Sequence, residues 1–169
     1  MSGAVQDVAW GPVRRILADM EALFSETSGL LGDDVPQPAV TLDLPATDPE
    51  PQHAFVLSNA HDFEVVGFLS NATVRVSFDV DVVCVATADT ADAAARTANA
   101  YQALLFQIPL VDNDLGGTVE EVGAPQVADY RTWADGDGRR HAGYRLSFNM
   151  TKGVQASDAA RQVIFERNG

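Results

Sequence analysis

The sequence contains few side chains whose type and spacing could support catalysis or metal binding. Its three histidines are His53, His61 and His141, and no two of them are three or four residues apart. Zinc sites usually combine closely spaced histidines with cysteines or carboxylates nearby. The pattern therefore argues against a metal site, and it favours a surface position for His53 and His61, which lie in an acidic segment.

Cys84, the single cysteine, alternates with valines in a run typical of a β-strand. One cysteine allows no internal disulfide, which suits a reducing compartment. A thiol among buried valines is shielded from reagents. We therefore interpret Cys84 as an inert core residue and not as a nucleophile.

Two carboxylate patterns could also carry chemistry. Asp79 and Asp81 would lie about 7 Å apart on one face of a strand, which could provide a catalytic pair. No partner residue accompanies them, so a solvated polar face is the favoured interpretation. The sequence DGDG from Asp135 resembles part of a calcium loop, but Arg139 and Arg140 follow where acidic ligands should continue. This segment instead predicts a hairpin turn.

No nucleophile-elbow, P-loop or dinucleotide-binding motif occurs in the sequence. We therefore predict no catalytic residue, no metal and no cofactor. A structural role is favoured over an enzyme.

Length and composition indicate a single globular domain over residues 1–169, with 46% hydrophobic and 21% charged residues. No apolar run approaches the ~20 residues that span a bilayer, and the first residues do not form a secretory signal. We expect no membrane association. The 11 basic and 24 acidic residues give a net charge of −13, which argues against nonspecific nucleic-acid binding.

The charge is unevenly distributed along the chain. Residues 26–64 contain eight acidic residues and no Lys or Arg, whereas residues 129–145 contain four Arg and three Asp. Copies of the chain could attract one another through these two segments. A simply solvated acidic loop is the alternative interpretation.

Apolar residues at helical spacing predict a helix from about Pro12 to Ser25, with an earlier turn from Ala4 left open. Residues 36–62 are predicted as an acidic, proline-rich loop region in which PAVTLDLP forms a short strand. The segment AFVLSNAHDFEVVGFLSNA, which begins within this region, is predicted to contain two more short strands separated by turn residues. Residues 152–169 are predicted as a C-terminal arm or short helix.

The most regular segment of the chain runs from Ala72 to Leu105. Valines and Phe78 alternate with polar residues up to Val82, which indicates a strand with one apolar and one polar face. A straight strand to Thr87 would measure roughly 50 Å, so we expect a bend or a projecting hairpin. An alanine-rich helix follows, with Thr87, Asp89 or Thr90 as its cap. The predicted fold class is α+β, an antiparallel sheet with helices packed on one face.

Four segments resemble one protein family when they are taken in order: VRRILADMEALF, then VRVSFDVDVVCVAT running directly into ADAAARTANAYQALL, then LGGTVEEVGAPQ, then TWADGDGRRHAGYRLSFNM. They are similar to the tail terminator, or tail completion, proteins of long-tailed, non-contractile bacteriophages, in particular those of actinobacterial hosts. The resemblance covers roughly residues 11–151.

This resemblance implies a ring-forming fold and a homohexamer that caps the tail tube, ends its polymerisation and joins it to the neck or head-closure protein. It implies a virion protein at the tail–neck junction, assembled in the host cytoplasm and without a cofactor. DNA would pass through the ring without specific binding. The acidic segment 36–62 is longer than the family leads us to expect, which leaves open which face meets the neck.

Candidate site residues follow from this interpretation. Carboxylates that line a bore would repel DNA phosphates, so Asp79 and Asp81 are the candidate channel-facing residues. An apolar strand end and an apolar C-terminal segment would suit contacts between copies. The candidate subunit contacts are Val83, Val85, Ile164 and Phe165.

Two other functions stay open. The chain could be another neck or tail ring protein, such as a head-closure or tail tube protein. A small acidic α+β ligand-binding domain or enzyme is the alternative from another class. Its pocket would be formed by His141, Tyr144 and Arg145.

Overall fold

A computed structural model describes residues 4–44, 51–70 and 72–157 of the chain, and it shows an α+β fold built on a mixed seven-stranded sheet. The elements in chain order are α1 (Ala4–Phe24), a 3-10 turn (Glu26–Ser28), β1 (Ala39–Leu42), β2 (His53–Val56), β3 (His61–Phe68), β4 (Thr73–Ala88), α2 (Ala91–Leu105), α3 (Ile108–Val111), β5 (Glu121–Val122), β6 (Gln126–Ala134) and β7 (Arg140–Gln155).

The strands β4 and β7 form the centre of the sheet. Each has 16 residues, and they pair antiparallel from Thr73↔Gln155 to Ala88↔Arg140 without a register shift. The even-numbered side chains of β4 from Val74 to Ala86 are buried in the core, as the alternation predicted. Since the pairing continues over the full length, the long strand is supported by an equally long partner.

Shorter strands flank this central pair. β2 and β3 both pair antiparallel with β4, at opposite ends of it, while β5 and β6 pair antiparallel with β7. β1 runs parallel to β2, from Ala39↔His53 to Leu42↔Val56. The prediction of a wholly antiparallel sheet was therefore wrong at this margin. Alternation identifies a strand, but it carries no information about the direction of its partner.

The two long helices bury their apolar stripes in the same core as the even-numbered side of β4. α2 begins as predicted, because Thr90 accepts a hydrogen bond from the backbone N–H of Ala93 at 3.2 Å. α2 ends at Leu105, and Pro109 lies in the first turn of the separate α3. Among the described residues, no helix combines the length and hydropathy that a bilayer crossing requires.

Two predicted irregular segments contain regular structure. The loop region 36–62 includes β1, β2 and the first residues of β3, where the sequence predicted short strands. In the C-terminal segment 152–169, β7 continues to Gln155, so its first residues extend the sheet. Residues 158–169 lie outside the described part of the chain.

Pro12 lies inside α1, which begins at Ala4 and not at Pro12. Proline has no N–H to donate to the carbonyl four residues earlier, which is that of Val8. Lys152, the sole lysine in the sequence, donates from Nζ to this carbonyl at 3.1 Å. The ammonium group of a distant strand therefore replaces the hydrogen bond that the helix loses at Pro12.

Replacing Lys152 by Met should lower the free energy of unfolding by about 1–3 kcal/mol, because the Val8 carbonyl then lacks this donor. In a Pro12→Ala background the same change should cost clearly less, since the substituted alanine supplies the helical N–H. Urea denaturation of the four variants measures this coupling. An equal cost of Lys152→Met in both backgrounds would show that the two residues act independently.

Candidate functional site on the open face of the sheet

The helices cover one face of the sheet, so the polar side chains of the central strands lie on the other, which we call the open face. On this face Asp79 stands opposite Asn149, and Asp81 stands opposite Ser147. Both predicted channel residues are therefore on the open face. Their surroundings differ.

Asp81 is buried, with 3% of its surface exposed. Its Oδ1 accepts a hydrogen bond from Ser147 Oγ at 2.6 Å, and its Oδ2 accepts one from His61 Nε2 at 2.8 Å. Arg145 Nη1 lies 3.8 Å from Oδ2. The carboxylate is thus enclosed by neighbouring strands, and it has little surface to offer to a channel. The prediction of Asp81 as channel-facing does not fit this burial.

Asp79 is half-buried and accepts a hydrogen bond from Asn149 Nδ2 at 2.8 Å. The same amide donates to Ser77 Oγ at 2.9 Å. This cross-strand network holds the Asp79 carboxylate at the surface of the sheet. Asp79 therefore remains a candidate channel-facing residue.

His61, at the start of β3, contacts two carboxylates. Its Nε2 faces Asp81, and its Nδ1 lies 3.0 Å from Asp62 Oδ2. Burial alone would lower the pKa of His61, but the hydrogen bonds and negative charges of Asp81 and then Asp62 outweigh burial and raise that pKa.

The side chains of His61, Asp62 and Asp79 form the group among the described residues that could hold a metal ion. One ligand atom from each lies within 4.8 Å of the other two. The sequence spacing of the histidines could not indicate this group, because His61 and Asp79 meet as cross-strand partners of β3 and β4. Only the pairing register of β3 with β4 shows that these side chains are close together.

A pocket of about 360 Å³ opens at the other end of the open face. Its apolar walls include Phe55, Val85 and Trp133, and its polar walls include His53 and Thr87. His53 is 2% exposed, so its predicted surface position was wrong; β2 lies between β1 and β4, and the residue is covered there.

A chain of hydrogen bonds between side chains lines the pocket. Thr87 Oγ1 lies 2.8 Å from His141 Nδ1, and His141 Nε2 lies 3.0 Å from Asp135 Oδ2. The bond to His141 is the main reason that the pKa of Asp135 is lowered. The indole of Trp133 stacks on the His141 ring, with centroids 5.1 Å apart, and Gly143 leaves the space beside it. Because Thr87 is buried, we interpret these hydrogen bonds as a link that fastens β4 to the turn between β6 and β7.

The other predicted pocket residues lie elsewhere. Tyr144 is buried on the helical face, where its hydroxyl donates to the carbonyl of Ala98 at 2.8 Å. Arg145 pairs with Asp129 at 3.1 Å, away from the pocket lining. His141 is therefore the member of the predicted trio that the pocket includes.

The remaining candidates are placed as follows. Val83 and Val85 are half-buried on the open face, and Val85 also lines the pocket. Ile164 and Phe165 lie outside the described residues. Cys84 is fully buried, and burial raises the pKa of its thiol to about 12. This agrees with its interpretation as an inert core residue.

A separate carboxyl pair connects α1 to the segment after α3. Arg15 Nε donates to Asp112 Oδ2 at 2.7 Å and lies 3.5 Å from Asp19 Oδ1. Burial, and then the neighbouring Asp112, raise the pKa of Asp19 to about 7. The Asp19 carboxyl and then the Arg15 guanidinium hold the pKa of Asp112 below its usual value. The Asp19–Asp112 pair therefore holds one proton at mildly acidic pH.

No family model matches the chain, and no curated protein matches it.

The Asp19–Asp112 pair predicts a specific pH dependence of stability. Because folding raises the pKa of Asp19 from 3.8 to about 7, the folded state binds more protons, and the free energy of unfolding should fall as pH rises through this range. Asp112, with a lowered pKa, should add a separate loss of stability in stronger acid.

Asp19→Asn should flatten the decline between about pH 4 and pH 7, and Glu21→Gln, an exposed change on the same helix, should leave it unchanged. Thermal melting at stepped pH measures both variants. If the stability of Asp19→Asn still declines over this pH range, other titrating groups cause the decline.

Proposed function

We propose that this chain is a structural virion protein of a long-tailed bacteriophage, a tail terminator that assembles into a ring on the end of the tail tube. The observation that carries the proposal is the chemistry of two of the sheet's open edge strands, β3 and β6, which match each other. The resemblance of the ordered sequence segments to tail terminator proteins supports the same assignment.

Among the described residues, β1, β3, β5 and β6 each have one unpaired side, and the two longest of these edge strands are β3 and β6. Each pairs on one side with a central strand, and within the described residues no strand pairs with its other side. Since β3, β4, β7 and β6 alternate in direction, a second copy that places β3 beside β6 continues an antiparallel sheet. An interface between two different edges is head-to-tail, and such interfaces close into rings when the rotation between copies permits.

Exposed apolar side chains lie on both edges, where contact with a second copy would remove them from water. Phe68 at the end of β3 is 84% exposed. The others on these two strands are Val65 and Val66 on β3, and Val127, Tyr130 and Trp133 on β6.

The charges of the two edges are also complementary. β3 carries the exposed Asp62 and Glu64, whereas β6 carries the exposed Arg131 and also Asp129, whose carboxylate is paired with Arg145. Attraction between these groups would favour the head-to-tail arrangement over a symmetric pairing of identical edges, which places like charges together.

The two edges are staggered along the strand direction. β3 lies against β4 from Val74 to Asp79, whereas β6 lies against the part of β7 that faces β4 from Asp81 to Ala88. The offset is about seven residues, or roughly 23 Å. Closed sheets require staggered strands that tilt relative to the ring axis, so this offset is compatible with closure.

The surface charge suits a ring through which DNA passes. The net charge of −13 would give the assembled ring a strongly negative surface, and carboxylates such as Asp79 in its bore would repel phosphates and prevent adhesion. The tail tube protein and a neck protein are the proposed partners on the two faces of the ring.

A second function is favoured by one specific observation, the pocket lined by His53, Thr87 and His141. Its volume of about 360 Å³ and its mixture of apolar walls and polar groups are typical of a small-molecule site. A monomer in solution whose melting temperature rises with a small organic ligand would support this function over a ring protein.

Charge reversal should test the proposed interface. Glu64→Lys on β3 and Arg131→Glu on β6 should each reduce assembly, because each places like charges at every head-to-tail contact. The double variant Glu64→Lys/Arg131→Glu should assemble better than either single variant, since it restores opposite charges. Light scattering during size-exclusion chromatography measures the mass.

Glu26→Lys, an exposed change outside both strands, is the matched control and should not alter the mass. If the double variant is as defective as the worse single variant, the two edges do not meet.

The biological function is tested by deleting the gene from a phage that encodes this chain and imaging its tails by negative stain. Overlong, headless tails are expected, because no protein would then end the polymerisation of the tail tube. Tails of normal length without heads would instead indicate a head-closure protein, and absence of tail tubes would indicate a tube subunit.

A further inference from the structure

We propose that His61, Asp62 and Asp79 form a binding site for a divalent transition-metal cation, such as Zn²⁺ or Mn²⁺, on the open face beside β3. This inference stands apart from the proposed function, because the site lies within one chain and requires no neighbouring copy.

The geometry of the three ligands is the first argument. One ring nitrogen of His61 and one carboxylate oxygen from each of Asp62 and Asp79 lie within 4.8 Å of one another. We take this nitrogen as Nδ1, which lies 3.0 Å from Asp62 Oδ2, because Nε2 is bonded to Asp81. Ligand atoms bound to one cation at about 2.0–2.2 Å are separated by at most about twice that distance. The three atoms therefore surround a position that a single ion could occupy after small side-chain adjustments.

The backbone brings the two neighbours His61 and Asp62 to the same place. Successive side chains of a regular strand point to opposite faces of the sheet, so adjacent residues rarely share a ligand. Asp62 has a φ of 57°, and the pairing register with β4 shifts between His61 and Glu64. In this left-handed conformation the Asp62 carboxylate lies beside the His61 ring. The conformation carries a backbone strain that a residue in a regular strand does not have.

A second layer of hydrogen bonds orients the ligands, and this is an independent argument. The other ring nitrogen of His61, Nε2, is bonded to the buried Asp81, which Ser147 holds in turn. Metal-binding histidines characteristically donate their other N–H to such a carboxylate, which fixes the ring orientation. Asn149 donates to Asp79 in the same way. Both ligands are therefore aligned before an ion arrives.

The ligand set indicates the class of cation. An imidazole nitrogen with two carboxylates suits first-row transition ions, whereas Mg²⁺ and Ca²⁺ prefer oxygen ligands throughout. His61 is part-exposed and Asp62 is exposed, so water can complete the coordination. The cation would take the place of the proton that Nδ1 shares with Asp62. It would also reduce the negative charge at the β3 edge.

Isothermal titration calorimetry of the untagged, EDTA-treated chain with ZnCl₂ and MnCl₂ tests the site, with MgCl₂ as the comparison ion. We expect one transition ion per chain and at least tenfold weaker binding of Mg²⁺. Asp62→Asn and Asp79→Asn should each weaken Zn²⁺ binding by at least tenfold. Asp81→Asn should weaken it by about 10- to 100-fold, because it removes the carboxylate that orients the imidazole.

Two matched controls distinguish this site from general surface binding. Glu64→Gln changes an exposed carboxylate on the same strand, and His141→Gln changes a histidine at the other end of the same face. Both should leave the affinity unchanged. Circular dichroism of each metal-free variant verifies that it is folded.

Absence of Zn²⁺ and Mn²⁺ binding to the folded wild-type chain would overturn the proposal. Binding that Asp62→Asn and Asp79→Asn leave intact, or that His141→Gln abolishes, would overturn it as well.

Discussion

The continuous pairing of β4 with β7 is the interaction on which the rest of the structure depends. Over 16 residues each strand satisfies the backbone of the other, and the alternation of side chains separates an apolar face from a polar one. Since the flanking strands are shorter, each of those beside β4 or β7 pairs with only part of that central strand. The same pairing thereby creates the core, the open face and the incomplete edges that a second copy could complete.

On the open face, hydrogen bonds between strands hold the polar side chains in place. Asp81 is buried there because His61 and Ser147 supply hydrogen bonds from two different strands. Asp79, two residues away, is held by Asn149 and remains accessible. Carboxylates of one strand thus differ in exposure because of their neighbours. This arrangement fixes charge in space, which is what repulsion of DNA or binding of a cation requires.

The parts of the fold that local sequence determines could be predicted, and those that depend on distant partners could not. Alternation identified β4, and the start of α2 was predicted to within the three candidate caps, of which Thr90 is the one used. The helical position of Pro12 could not be foreseen, because its compensating donor, Lys152, lies 144 residues after the Val8 carbonyl that it reaches. Likewise, the group of His61 with Asp79 depends on strand register, which no spacing along the chain records.

The central claim is that β3 of one copy pairs with β6 of the next. Backbone hydrogen exchange, followed by mass spectrometry at subunit concentrations below and above assembly, tests this contact most directly. The account predicts that the amides of β3 and β6 become protected together on assembly, while those of β4 and β7 change little. An assembled form in which both edge strands exchange as fast as in the monomer would contradict it.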